Sequence, residues 1–258
     1  MKKISILLSF ATILFSACSK DDDKDTSDTL NGQTVLTFDS KVGSDDFTLN
    51  KDVTINGATY NFTQLRYWVS NVTLTNTDGN TYKVPSSYYL LEENNAIAVQ
   101  DGSFEYPATK REDVTISDIP AGTYKSITFS IGIDAVYNDN LSLQAGELSQ
   151  LNGMTNVSWM WHTSYIFSSL KGTRNSTAIA VETGLNTNYR TITITLPGSV
   201  TINAASTTNI KFSVDVTKII DGLDLATTPT IGASVPAVMT QVADNYSTKA
   251  ITATTIAK

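Results

Sequence analysis

Met160 and His162 stand two residues apart in the stretch NVSWMWHTSYIF (156–167). A thioether beside an imidazole is a donor pair suited to Cu(I). His162 is the single histidine of the chain, so any chemistry that needs an imidazole must use it. On an extended strand, alternate side chains face opposite sides. Trp159, Trp161, Thr163, Tyr165 and Phe167 then share one face, and Met160, His162, Ser164, Ile166 and Ser168 share the other. The aromatic face has the bulk of a core. The opposite face has two readings, a strand surface that is core or half-exposed, and a metal site. A firm metal site needs a third ligand, and Met154 and Met239 are the remaining methionines after Met1.

Other chemistries find little support. There is no Gly-x-Ser-x-Gly elbow and no phosphate-cradling glycine loop. A Ser-His-Asp set would have to take its base from the middle of a strand, at His162. The carboxylate pairs Asp45-Asp46 and Glu92-Glu93 read as solvated charge at loops or strand ends. Asn138-Asp139-Asn140 is rich in oxygen donors but lacks EF-hand spacing, and reads as a turn. The composition therefore points to binding rather than catalysis, and no enzyme is expected.

The first 17 residues, MKKISILLSFATILFSA, have the two lysines, apolar run and small residues of a secretory leader, too short to span a membrane. Cys18 follows at once, in an order that resembles a bacterial lipobox, and is the single cysteine of the chain. No intramolecular disulfide can form, so the fold rests on its own core. Residues 18–33 are polar and acidic and read as a lipidated flexible tether. Ser19-Lys20-Asp21-Asp22 resembles the lysine-plus-acid signal with which Bacteroidota lipoproteins reach the cell surface. The expected location is the outer membrane, on its surface or periplasmic face, held by the N-terminal lipid. The chain carries 18 basic and 25 acidic residues, and loss of Lys2 and Lys3 with the leader takes its net charge from −7 to near −9. That excludes nucleic acid and electrostatic docking on anionic lipid.

The elements that must position these residues are strands. Period-two alternation runs through the chain after residue 33 and helical periodicity is almost absent. Strands are expected at 34–40, at 64–76 with a break near Ser70-Asn71, at 113–119, and from Tyr124 to Gly132. Asp78-Gly79 marks a hairpin. Residues 158–170 form a central strand, 177–184 and 189–197 a pair, and 208–221 a strand ending in a helical turn. Residues 141–153 are the best helix candidate, ended by Gly153. The whole reads as one all-β domain over 34–258, a single-domain antiparallel β-sandwich of Greek-key type with one or two short helices.

The order of several short motifs resembles the MbnP-like domain family, named after a copper-binding protein associated with methanobactin. The motifs are Phe38-Asp39 with Val42-Gly43, Leu65-Arg66-Tyr67-Trp68-Val69-Ser70-Asn71, Pro120-Ala121-Gly122-Thr123-Tyr124 leading to Gly132-Ile133-Asp134, and Gly153-Met154 followed by Trp159-Met160-Trp161, Tyr165-Ile166-Phe167, Leu170 and Gly172. The resemblance implies a secreted β-sandwich and, in the name-giving members, copper held by histidines, with a modified tryptophan in some relatives. Here Glu182 stands at the place of a second family histidine, and Met160 at the place of a tryptophan two before His162. His162, Met160 and Glu182 are therefore the candidate copper ligands, with Trp159, Trp161 and Tyr165 as the aromatic motif around them. The alternative is a metal-free surface module for glycan or protein, with Trp68, Tyr88 and Tyr89 as candidate exposed aromatics.

Overall fold

The computed structural model describes residues 31–99, 102–156 and 164–257. The first half of the chain forms β1 (Gly32–Val42), β2 (Asp45–Asp46), β3 (Asp52–Ile55), β4 (Ala58–Asn76), β5 (Thr81–Lys83), β6 (Tyr88–Asn94), β7 (Ile97–Val99), β8 (Phe104–Tyr106), β9 (Thr109–Arg111), β10 (Asp113–Ile119), β11 (Gly122–Ile131) and the short helix α1 (Ala135–Asn138). The second half forms β12 (Thr155–Asn156), β13 (Ser164–Arg174), β14 (Thr177–Gly184), β15 (Arg190–Ile202), β16 (Thr208–Asp215), α2 (Val216–Ile219), β17 (Thr230–Ile231), α3 (Pro236–Asn245) and β18 (Ile251–Ala257).

The strands make an all-β sandwich. One sheet has the order β10-β1-β16-β18, and the larger has the order β15-β11-β4-β13-β14-β17 with shorter strands on β4. The pairing is mostly antiparallel, but β1–β16 and β14–β17 are parallel. Three phenylalanines join the layers: Phe38 and Phe212, register partners in the smaller sheet, lie 4.9 Å apart, and Phe129 of the larger sheet meets them at 5.3 and 5.6 Å. Such offset and edge contacts add to the burial of large apolar side chains. The chain crosses between sheets at Pro120, where the Tyr124 hydroxyl donates to the Pro120 carbonyl at 2.7 Å.

β4 organises the larger sheet. β13 and β11 follow one another along one edge, while β3, β6 and β5 line the other. The expected break at Ser70-Asn71 is a bulge, with Asn71 at φ 52° and a register shift opposite Thr128 and Ser130. The expected hairpin at Asp78-Gly79 forms, with Gly79 at φ 92°. Beyond the bulge, the start of β13 departs from β4 and builds a second core of Trp68, Tyr88, Leu90, Ile133, Leu148, Met154, Tyr165, Ile166 and Phe167. Gly132 makes room for it: at φ 107° it presents its α-carbon to the Phe167 ring, which a β-carbon would approach to 2.5 Å.

Two expectations are corrected. Residues 141–153 are not a helix among the described elements but a folded loop, because Gly146 takes φ 52° and presses its backbone on Tyr88, whose carbonyl accepts from Glu147 N at 3.0 Å. The strands at 177–184 and 190–202 do not pair with each other: β14 lies between β13 and β17, and β15 lies on β11. A 3-10 turn at Asn186–Asn188, entered through Leu185 at φ 67°, sends the chain away from β14.

Candidate binding site

Cys18, Trp159, Met160, Trp161 and His162 lie outside the described residues. Tyr165 is fully buried, with its ring edge-on to Trp68 at 6.0 Å, so this part of the aromatic motif is core. Its backbone N–H donates to Asn138 Oδ1 at 2.9 Å, and Asn138 Nδ2 in turn donates to Asn186. Asn186 Nδ2 donates to both Asp139 carboxylate oxygens. The Asn138-Asp139-Asn140 turn therefore anchors β13. Glu182 sits on β14 opposite Ser169. Its Oε1 accepts from Ser169 Oγ at 3.1 Å and pairs with Lys171 Nζ at 3.0 Å.

The motifs at Ser70-Asn71 and Gly132-Ile133-Asp134 meet at the bulge. Ser70 Oγ donates to the Gly132 carbonyl at 2.7 Å, and Asn71 Nδ2 donates to Asp134 Oδ2 at 2.9 Å. The Tyr88 hydroxyl also donates to Asp134 Oδ2. Burial, and then this bond to a carboxylate, raise the Tyr88 phenol well above its ordinary value.

A groove opens on the far side of β6. Leu90, Glu92, Phe104, Tyr106, Pro107, Arg111, Glu147 and Leu151 are among its lining, around a cavity of about 290 Å³. At its base, Arg66 reaches across from β4 to Glu92, Nη2 to Oε2 at 2.7 Å, with side chains 1% and 4% exposed. The Tyr106 ring lies over the Arg66 guanidinium at 4.6 Å, and its hydroxyl donates to Glu92 Oε1 at 2.6 Å. Burial and that bond push the Tyr106 phenol up to about 12. On the wall, Arg111 holds Glu147 with two bonds, at 2.5 and 2.8 Å, and Glu147 also accepts from Leu90 N at 3.0 Å. The folded loop of 141–153 delivers Glu147 to this wall.

Glu92 and Glu93 are buried, which corrects their reading as solvated charge. The sequence signal was Arg66, a lone charge inside an apolar strand, which had to find a buried partner. Trp68 and Tyr88 are buried and Tyr89 is half-buried; among the described residues the exposed aromatic is instead Phe104.

Asp39, Asp46 and Glu112 bring carboxylate oxygens within 4.8 Å of one another. Lysines already serve them: Lys41 and Lys211 lie 3.0 and 2.8 Å from Asp39, and Lys110 lies 3.7 Å from Asp46. Burial alone would raise the Asp39 carboxyl, but bonds from Lys211 and Lys41 outweigh it and hold it below its ordinary value. Burial raises the Glu112 carboxyl. This is an ion-pair network.

A family model described as MbnP matches residues 31–239. The chain belongs to the MbnP family. Among solved structures it is similar to MbnP from Methylosinus trichosporium, with 13% identity, a TM-score of 0.49, and cover of 75% of this chain and 79% of that one. No curated protein matches. For the copper that MbnP resemblance implies, the described member of the candidate donor set is Glu182. As it stands, it fits poorly: its carboxylate is a hard donor already neutralised by Lys171. The sequence offers a single histidine, His162, to such a site.

Proposed function

We propose that this chain is a lipid-anchored, extracytoplasmic binding protein of the MbnP family that handles copper through His162 and Met160. The family match over 31–239 carries the reading, since it spans the segment that holds both donors. Imidazole and thioether together favour Cu(I) over harder ions. Glu182 joins the set only by exchanging Lys171 for the metal. Cys18, at the end of the leader, supplies the anchor to the outer membrane, and the role is binding without catalysis.

The test is a Cu(I) titration of the purified protein beside His162→Ala, Met160→Leu and Glu182→Gln. Stoichiometric sub-micromolar binding that is lost in His162→Ala and weakened in Met160→Leu supports the reading. No binding by the wild type, or binding unchanged by His162→Ala, overturns it. Retention of Glu182→Gln affinity removes Glu182 from the ligand set. Release of Cys18→Ser from the membrane fraction tests the anchor.

A further inference from the structure

We propose that the groove between β6, β8 and the 141–153 loop binds a neutral saccharide. This site is separate from the copper reading and uses none of its residues. Three observations meet there. First, apolar surface is left open at the mouth: Phe104 is 42% exposed and Leu151 50% exposed, two of the few large hydrophobics exposed among the described residues. Second, the polar lining is built and held. Glu92 is buried and fixed by Arg66 and by the Tyr106 hydroxyl, and Glu147 is gripped in two-point fashion by Arg111. Third, each lining carboxylate is matched by a cation: Glu92 by the buried Arg66 behind it, and Glu147 by Arg111 in the lining itself.

These features select among ligands. A guanidinium beside a carboxylate presents donors and acceptors side by side, which matches vicinal hydroxyls, each able to donate and accept. One Nη2 hydrogen of Arg111 and lone pairs on Glu147 Oε1 remain for such contacts. An exposed aromatic ring such as Phe104 is the residue type that packs on the C–H side of a pyranose. A purely apolar peptide side chain would bury the Arg111–Glu147 pair without replacing its lost water, which is costly. An anionic saccharide meets a chain of net charge −7 and a groove with no spare cation among its described lining residues. The volume of about 290 Å³ lies just under the roughly 300–1,000 Å³ of small-ligand sites, and suits a short saccharide segment rather than a folded partner.

The experiment is calorimetric titration of the purified full chain with maltohexaose, cellohexaose, xylohexaose and mannohexaose, and with hexagalacturonate as the anionic comparison. Phe104→Ala and Leu151→Ser are the variants, both at exposed positions where the fold is expected to tolerate them. The expected result is binding of at least one neutral oligosaccharide, weakened about 2- to 10-fold by Phe104→Ala with an unchanged melting temperature. The same affinity in His162→Ala keeps this site distinct from the copper centre. The proposal is overturned by absence of binding to all four neutral probes, by hexagalacturonate binding as tightly as they do, or by full affinity in both groove variants.

Discussion

The side-chain amide of Asn71 donates to Asp134 Oδ2 at 2.9 Å, tying the bulge in β4 to the end of β11. The same carboxylate oxygen accepts from Tyr88 at the start of β6. One carboxylate, just past β11, thus holds the bulge of β4 and the start of β6 together beside the second core. Asn71→Ala removes the donor and leaves a non-glycine residue at φ 52°, where the strain is about 1–2 kcal/mol. Together with the lost bond to a charged group, urea unfolding is expected to show a loss of about 2–3 kcal/mol. Asn71→Gly keeps the backbone relaxed and is expected to lose about 1 kcal/mol less.

Gly132→Ala meets both a backbone and a packing obstacle. The position has φ 107°, and a β-carbon would lie 2.5 Å from the Phe167 ring. A loss of about 3 kcal/mol or more is expected, read as a drop in melting temperature. Adding Phe167→Ala relieves the clash but not the backbone strain, and opens a cavity, so the double variant stays less stable than wild type.

Local patterns made much of this fold legible. The strands at 34–40, 64–76, 113–119 and 208–215 announce themselves by alternation, and the Ser70-Asn71 break by a polar pair that tolerates the left-handed backbone. Strand partners were not legible, because nothing local tells β14 to lie on β13 and β17 rather than on β15. The leucine spacing at 141–151 suggested a helix, and Gly146 overrode it by fitting under Tyr88. Conversely α3 went unnoticed although Pro236 stands at its first turn and Met239, Val242 and Ala243 give it a buried face. Of the groove, Arg66 alone carried a hint. Glu92, Tyr106, Arg111 and Glu147 come from two sheets and a loop, and only the folded chain brings them together.

The buried pair Arg66–Glu92 gives a prediction with opposite signs for one change and two. Glu92→Leu leaves a buried guanidinium uncompensated and is expected to cost about 3–5 kcal/mol in chemical denaturation. Arg66→Leu combined with Glu92→Leu removes both charges and is expected to recover a large part of that loss. A double variant no more stable than Glu92→Leu would sink this account.

Asp39 sets an acid limit. Its folded pKa is lowered below 3.8, so its contribution is present above that value and is lost as pH falls through the folded pKa. Glu112 acts in the opposite sense: its raised pKa means its contribution is present below 4.5 and is lost as pH rises. Asp39→Asn is expected to lower stability at neutral pH and to flatten the fall of melting temperature below about pH 4, followed by calorimetry across the acid range.

The parallel union of β1 with β16 joins residues 34–41 to residues 208–215. β1 is made long before its parallel neighbour, and β10, on its other side, comes in between. Until β16 is made, one flank of β1 therefore has no partner, with its amides and carbonyls open to any extended segment. Closure of the smaller sheet waits for β16 and β18, which makes folding slow by topology. Any chain cut short before Thr208 keeps that flank open permanently and turns a domain into a seed for aggregation.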